Sequence, residues 1–255
     1  MSVSLDLDEN VVVVTGGGRG IGAAIARRAA AAGASVVPSA RTETEIDRVA
    51  ASIRSAGCEA TAIPADVTDP AAVDRLLEET VDTYGSIDAV INNAGINPRS
   101  ALGRPESLEP GAFEQVVAVN LEGAFTVAAR AAEGLAADGG GALVNVASVG
   151  GLVGLPRQHP YVATKHGLVG LTKSMALDWA PVVRVNAVAP GYVMTDLTAD
   201  IEDNDRVKQS ILERTPMERF AAADEIADPV CFLVSERASY VTGACLTVDG
   251  GWTAR

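Results

Sequence analysis

Short apolar runs and mixed segments alternate along the whole chain. Residues 11–14 are four consecutive valines, a β-branched run of the length of a buried strand. A glycine-rich stretch, 15–22, follows at once, and then an Ala-rich segment, 23–32, that favours helix and ends at Gly33. The same alternation recurs downstream. Strands are predicted at 34–38, 59–65, 87–91, 142–147, 182–188 and 244–248. Helices are predicted at 44–56, 70–84, 113–137, 161–179 and 224–235. Asp69 and Pro70 form a start signal for the second of these, as N-cap and first helical residue. Apolar runs without alternation suit strands covered on both faces. The pattern therefore predicts one α/β domain over residues 1–255, built on a doubly wound, seven-stranded parallel sheet. Two segments stand outside it. Residues 96–110 carry three prolines and read as a loop over the site. Residues 192–216 are polar and charged and read as a mobile lid after a strand end, or simply as a solvated helix face.

Composition narrows the function. The 255 residues include 48% hydrophobic but only 4% aromatic side chains, so the core is expected to be built from small and branched residues. A run of about 18 apolar residues is absent, which excludes a membrane-spanning helix. The first ten residues are acidic and do not resemble a signal peptide. The net charge of −13 disfavours a nucleic-acid partner, which would need basic patches. Three lysines stand against seventeen arginines. Adaptation to high salt and an ordinary acidic cytosolic protein account for this equally well. Cys58, Cys231 and Cys245 are odd in number and widely spaced. With only His159 and His166 beside them they form no metal motif, so reduced thiols in a cytoplasmic protein are expected.

The candidate chemistry lies at predicted strand ends. Strand, glycine loop and helix at 11–32 suit a dinucleotide cofactor: Gly16, Gly20 and Gly22 would let the backbone approach a pyrophosphate at a helix N-terminus, with Gly18, Arg19 and Ile21 of the same loop also expected to bind the cofactor. Where NAD-binding domains often carry a carboxylate at the end of the second strand, this chain has Ser39-Ala40-Arg41. Arg41, with Arg19, favours a 2′-phosphate, hence NADP over NAD, though both arginines could simply be solvated. Asp66 could reach an adenine amino group or cap its own turn. Asn120 lies in an apolar helix, where a buried amide needs a partner; it is structural, or it interrupts the helix and holds a water. Tyr161 and Lys165 are spaced i, i+4 and share a helix face, so the cation is expected to lower the phenol's pKa. Ser148 could hold a substrate oxygen beside them.

Together these residues resemble the short-chain dehydrogenase/reductase family over nearly the whole chain. The resemblance rests on the glycine loop 15–22, Asn92-Asn93-Ala94-Gly95, Asn120, Ser148, Tyr161-x-x-x-Lys165, Pro190-Gly191 and the terminal Val248-Asp-Gly-Gly251. It implies a Rossmann-type fold and a nicotinamide-dependent oxidoreductase acting on a carbonyl/alcohol pair. It implies Tyr161 as general acid or base, Lys165 as its partner and a ribose ligand, Ser148 as holder of the carbonyl oxygen, and Asn120 as holder of a relay water. Asp66, Val67, Asn93, Ala94 and Gly95 would line the adenosine part. Pro190, Gly191, Val193 and Thr195 would line the nicotinamide. Ser39 belongs to the same expected cofactor wall. A 3-oxoacyl thioester reductase is expected first, and a sugar, sugar-acid or polyol dehydrogenase is the alternative. A non-catalytic dinucleotide-binding protein is a remote third reading. Most family members are tetramers, so a homotetramer is expected.

Overall fold

The valine run 11–14 is followed by residues that cannot extend it, and the chain turns into its first helix. The computed structural model describes residues 5–195, 198 and 204–254. Its strands are β1 (Val11–Thr15), β2 (Ser35–Ser39), β3 (Ala89–Asn92), β4 (Gly141–Val146), β5 (Val183–Pro190) and β6 (Cys245–Val248). They form one six-stranded parallel sheet in the order β2-β1-β3-β4-β5-β6. The helices are α1 (Gly20–Ala31), α2 (Glu43–Ser55), α3 (Pro70–Tyr84), α4 (Ala112–Val117), α5 (Ala124–Ala136), α6 (His159–Trp179), α7 (Asp205–Leu212) and α8 (Asp224–Val234).

Successive strand residues point to opposite faces. Val12, Val14, Ile91 and Val144 pack in the core under α1, α2 and α8. Their neighbours Val13, Val90 and Leu143 pack in the core under α3, α5 and α6. Both faces are covered, which is why the strands read as unbroken apolar runs. Each fully buried Val or Ile contributes about 1.5–3 kcal/mol relative to exposure. Asp69 caps α3 as expected, its Oδ1 accepting from Ala71 N at 3.0 Å.

The predicted seven-stranded sheet is corrected to six, because residues 59–65 do not form a strand. That segment runs beside β2 but makes only one isolated parallel bridge, Val36 with Ala60. At the bridge the bonding is complete: Val36 N donates to Glu59 O and Thr61 N to Val36 O, both at 3.1 Å. One step further the ladder needs an N–H from residue 38, which is proline and has none. The return bond, Ile63 N to Pro38 O, stretches to 3.4 Å. The sheet therefore ends at β2.

A file of buried polar side chains crosses the sheet. Asn92 Nδ2 on β3 donates to Asn145 Oδ1 on β4 at 3.0 Å and to Ala124 O at 2.9 Å. Asn145 Nδ2 donates to Thr172 Oγ1 on α6 at 2.9 Å. Among the described residues no helix is long and apolar enough to cross a membrane. Cys58, Cys231 and Cys245 are free thiols; burial pushes Cys231 up to about 12, so it stays protonated.

Candidate active site

The strand order reverses between β1 and β3, and their carboxyl ends open a cleft there, where open α/β sheets bind ligands. The cleft has a volume of ≈ 390 Å³. Its first wall is the glycine loop. Gly16 and Gly20 have φ of 63° and 52°, a left-handed region costly for other residues. A Cβ on Gly22 would lie 2.1 Å from Gly16 O, so loop and helix pack without room for any side chain. The N-terminus of α1 has neither a side-chain cap nor an acidic residue in its first turn. Unsatisfied N–H groups and a positive dipole end thus face a backbone stripped of side chains. That arrangement fits the pyrophosphate of a dinucleotide.

Most of the expected cofactor residues converge on this cleft: Gly16, Gly18, Arg19, Gly20, Ile21, Gly22, Arg41, Asp66, Val67, Asn93, Ala94, Gly95, Pro190, Gly191, Val193 and Thr195 all line it. Ser39 does not. It is 2% exposed on β2, and its carbonyl accepts from Gly17 N at 3.0 Å, so its part is to shape the loop. Asn93 is on the wall, but its amide is committed to the loop, with Nδ2 donating to Thr15 O at 3.0 Å and Gly16 O at 3.1 Å. Asp66 caps its own turn, accepting from Thr68 N and Oγ1 at 2.9 and 2.8 Å. Burial would raise its pKa, but these Thr68 bonds and the more distant Arg41 guanidinium, 3.9 Å away, hold it below the usual carboxylate range. Glu45, unforeseen from sequence, shares this end of the cleft and packs against Gly18.

The reactive cluster sits at the other end. β4 delivers Ser148 to the sheet edge, where it caps the turn Val149–Gly151. Its Oγ accepts from Gly150 N at 3.0 Å, which leaves the hydroxyl hydrogen to point elsewhere. Tyr161 and Lys165 project from the first turns of α6. Lys165 is 4% exposed; its Nζ donates to Val146 O at 2.7 Å and lies 5.7 Å from the Tyr161 ring centroid. Burial pushes the Lys165 ammonium down to about 8.

The expectation that Lys165 lowers the Tyr161 pKa is corrected. Burial dominates and raises the phenol's pKa, hydrogen bonding with Ser148 opposes the rise, and nearby Tyr192 adds to it. Tyr161 therefore rests as a protonated phenol, poised to donate.

Asn120 does interrupt its helix. The predicted helix 113–137 is broken into α4 and α5 by a π-helical turn, Ala118–Gly123, that contains it. The side chain is 1% exposed and does not line the cleft. Its Oδ1 accepts from Ile96 N at 2.7 Å and its Nδ2 donates to Ile96 O at 2.9 Å. A Cβ on Gly95 would stand 3.5 Å from Asn120 Oδ1 and 3.7 Å from Lys165 Nζ, so the three meet across one glycine.

The cleft lining also includes polar Asn97, Arg99, Gln158 and Tyr192, alongside apolar Leu102 and Leu155. Asn97 Nδ2 donates to Gln158 Oε1 at 2.9 Å, tying the 96–110 loop to the start of α6. His159 is exposed and lines a neighbouring surface groove instead. Of the expected lid, 196–197 and 199–203 lie outside the described residues; the described part contains α7. No group of three or more His, Cys, Asp or Glu with metal-holding geometry occurs among the described residues.

Comparison with known proteins agrees with this geometry. A family model described as enoyl-(acyl carrier protein) reductase matches residues 16–253. The chain is 41% identical over 248 residues to cis-4-hydroxycyclohexanecarboxylate dehydrogenase of Sinomonas cyclohexanicum, covering 96% of this chain and 97% of that one. It is 39% identical over 241 residues to a 3-oxoacyl-(acyl-carrier-protein) reductase of Staphylococcus aureus, covering 94% and 96%. Among solved structures, a gluconate 5-dehydrogenase from Burkholderia cenocepacia in complex with NADP and tartrate superposes with a TM-score of 0.94 at 35% identity, covering 99% and 98%. The chain belongs to the short-chain dehydrogenase/reductase family and is an NAD(P)-dependent oxidoreductase acting on carbonyl or alcohol groups.

Proposed function

We propose that this enzyme interconverts a secondary alcohol and a ketone on a small, polar hydroxy acid, with NADP(H) as the preferred cofactor. The observation that carries the substrate reading is the polar share of the cleft lining: Asn97, Arg99, Gln158 and Tyr192 bring a cation and several hydrogen-bonding groups to it. A carboxylate or a hydroxyl-rich ring can bond to such groups, whereas an acyl chain gains nothing from them. Two of the relatives above, named for hydroxycyclohexanecarboxylate and gluconate, support it. The second reading, reduction of 3-oxoacyl thioesters, draws on the Staphylococcus relative and on apolar Leu102 and Leu155.

In this reading the bound nicotinamide supplies or accepts the hydride. Ser148 turns its hydroxyl hydrogen from Tyr161 to the substrate oxygen and fixes it beside the phenol. The Tyr161 phenol gives its proton to that oxygen as negative charge develops, and takes it back in the reverse direction. Lys165 holds positive charge behind the ring and tethers β4 to α6. Asn120 acts as a positioning residue, clamping Ile96 so that Gly95 and the loop after it keep clear of the Lys165 ammonium.

Initial rates with NADP⁺ on cis-4-hydroxycyclohexanecarboxylate and gluconate, set against NADPH with acetoacetyl thioester, test the substrate reading. A higher kcat/KM on a hydroxy acid is expected, and a preference for the thioester would reverse the order of the two readings. For the cofactor, Arg41 is the exposed cation beside the place where a carboxylate would bind ribose hydroxyls. Arg41→Ala is expected to weaken NADPH binding about tenfold, the scale of one hydrogen bond to a charged group, and to leave NADH nearly unchanged. Fluorescence titration reads both, and a wild type that prefers NADH would remove Arg41 from this role.

A further inference from the structure

The chain has only four tyrosines, and two of them, Tyr161 and Tyr192, line the same cleft. Tyr161 is accounted for by its neighbours Ser148 and Lys165. Tyr192 follows Gly191 at the carboxyl end of β5. Its backbone is tied on both sides: Gly191 N donates to Val248 O at 3.0 Å, and Ala221 N to Tyr192 O at 2.9 Å. Its ring is braced by two aromatics. Phe220 stacks at 5.9 Å between centroids with an interplanar angle of 29°, and Trp252 meets it edge-on at 5.1 Å. Trp252 is held in turn by the Arg214 guanidinium, 4.7 Å from its ring centroid, and is 9% exposed.

Ring and backbone are therefore fixed, while the polar tip is not spoken for. No hydrogen-bond partner for the Tyr192 hydroxyl is found among the described residues. The hydroxyl is not fully buried, so water can pair it, and a ring held rigid in the cleft wall suits a ligand that brings an acceptor in place of that water. Burial raises the Tyr192 pKa while Arg214 opposes the rise, so at neutral pH the group is a protonated donor. The cation that acts on it, Arg214, packs over Trp252 and does not line the cleft, and among the described residues no serine bonds its hydroxyl as Ser148 bonds Tyr161, so it is not built to work on the reacting oxygen.

We propose that Tyr192 is a specificity-determining residue whose hydroxyl donates to a second oxygen of the substrate, the carboxylate of a hydroxy acid, remote from the reacting carbon. This rests on the hydroxy-acid reading above. Phe220 and Trp252 supply the rigidity, so the hydrogen bond forms without ordering a loose side chain.

The test compares wild type with Tyr192→Phe, which removes the hydroxyl and keeps the stacked ring. The substrates are cis-4-hydroxycyclohexanecarboxylate and cyclohexanol, which share the ring and the reacting alcohol but differ in the carboxylate. The variant is expected to raise KM for the carboxylate at least tenfold with little change in kcat. For cyclohexanol, kcat/KM should move less than about threefold, because no carboxylate bond is lost. Equal losses on both substrates would make Tyr192 a mere wall, and no loss on either would remove it from recognition; both outcomes overturn the proposal. Wild-type turnover of the hydroxy acid in those cases leaves the function reading standing. A wild type that turns over acetoacetyl thioester but not the hydroxy acid overturns both.

Discussion

Tyr161→Phe lowers kcat by about 10²–10⁴-fold, the range expected when a positioned proton donor is removed. The substitution keeps the ring and its contact with the Lys165 ammonium, so folding and cofactor affinity should hold. Cofactor titration by fluorescence and steady-state kinetics separate the two effects. The pH profile adds a second signature. Because burial raises the Tyr161 pKa, the phenol is protonated at neutral pH and ready to donate for carbonyl reduction. Alcohol oxidation needs the opposite state, so the wild-type oxidation rate should climb into the alkaline range. The variant has no phenol to ionise and should lack that climb. A variant within tenfold of wild-type kcat would sink the assignment of Tyr161 as the proton donor.

The second large effect concerns stability. Lys165 is buried, and its pKa falls from the ordinary 10.5 to about 8 in the folded chain. The sign is fixed by counting protons. Below pH 8 the amine is charged whether folded or unfolded, and folding bears the full cost of burying that charge. Between 8 and 10.5 the folded chain has released the proton while the unfolded chain keeps it. The unfolded state then binds more protons, so stability rises with pH. Above 10.5 both states are neutral and the cost is gone. A shift of this size corresponds to about 3 kcal/mol. Lys165→Met removes the titrating group but fills similar space. Across pH 8 to 10.5, urea denaturation should show the wild type gaining about 3 kcal/mol on the variant. Taking the difference cancels every other group that titrates alike in both. A difference that stays flat with pH would mean that water reaches the ammonium and relieves its burial.

Much of this was legible in the residues. The valine run, the glycine loop and the Asp69-Pro70 signal are local, and local chemistry decided them. The 59–65 segment shows the limit. Its own residues suit a strand, but pairing depends on a partner, and Pro38 takes the position where the partner must donate. Register between distant segments is not written in either one. Asn120 could be read as a buried amide in need of bonds, and it does break its helix. That it clamps Ile96 follows from a loop and a helix meeting in space. Ser39 was expected on the cofactor wall, yet it is the buried last residue of β2, where its carbonyl serves the glycine loop. For the phenol, a cation at i+4 was visible, but the burial, Ser148 bond and Tyr192 neighbour that set its pKa were not. Tyr192 was read as the first residue of a lid. The usable signal was an aromatic directly after Pro190-Gly191 in a chain with only ten aromatics, whose partners Phe220 and Trp252 lie far along the chain.

The asparagine file through the sheet has a bearing on how the molecule finds its shape. Strands made of valine and alanine resemble one another, and sliding one past its neighbour by two residues still presents apolar groups to the same face. Such a slip would leave the Asn145 side chain without Asn92 or Thr172 opposite it, each stranded amide costing about 1–3 kcal/mol. The three side chains thus work as a combination lock between β3, β4 and α6, penalising near-miss arrangements more than they strengthen the correct one. Because Ser148 is three residues beyond Asn145 and Asn93 is next to Asn92, the same lock sets where the two ends of the cleft stand. Swapping Asn145 for an apolar residue would therefore tell first on how many conformations the chain settles into, and only afterwards on how firmly it holds any one of them.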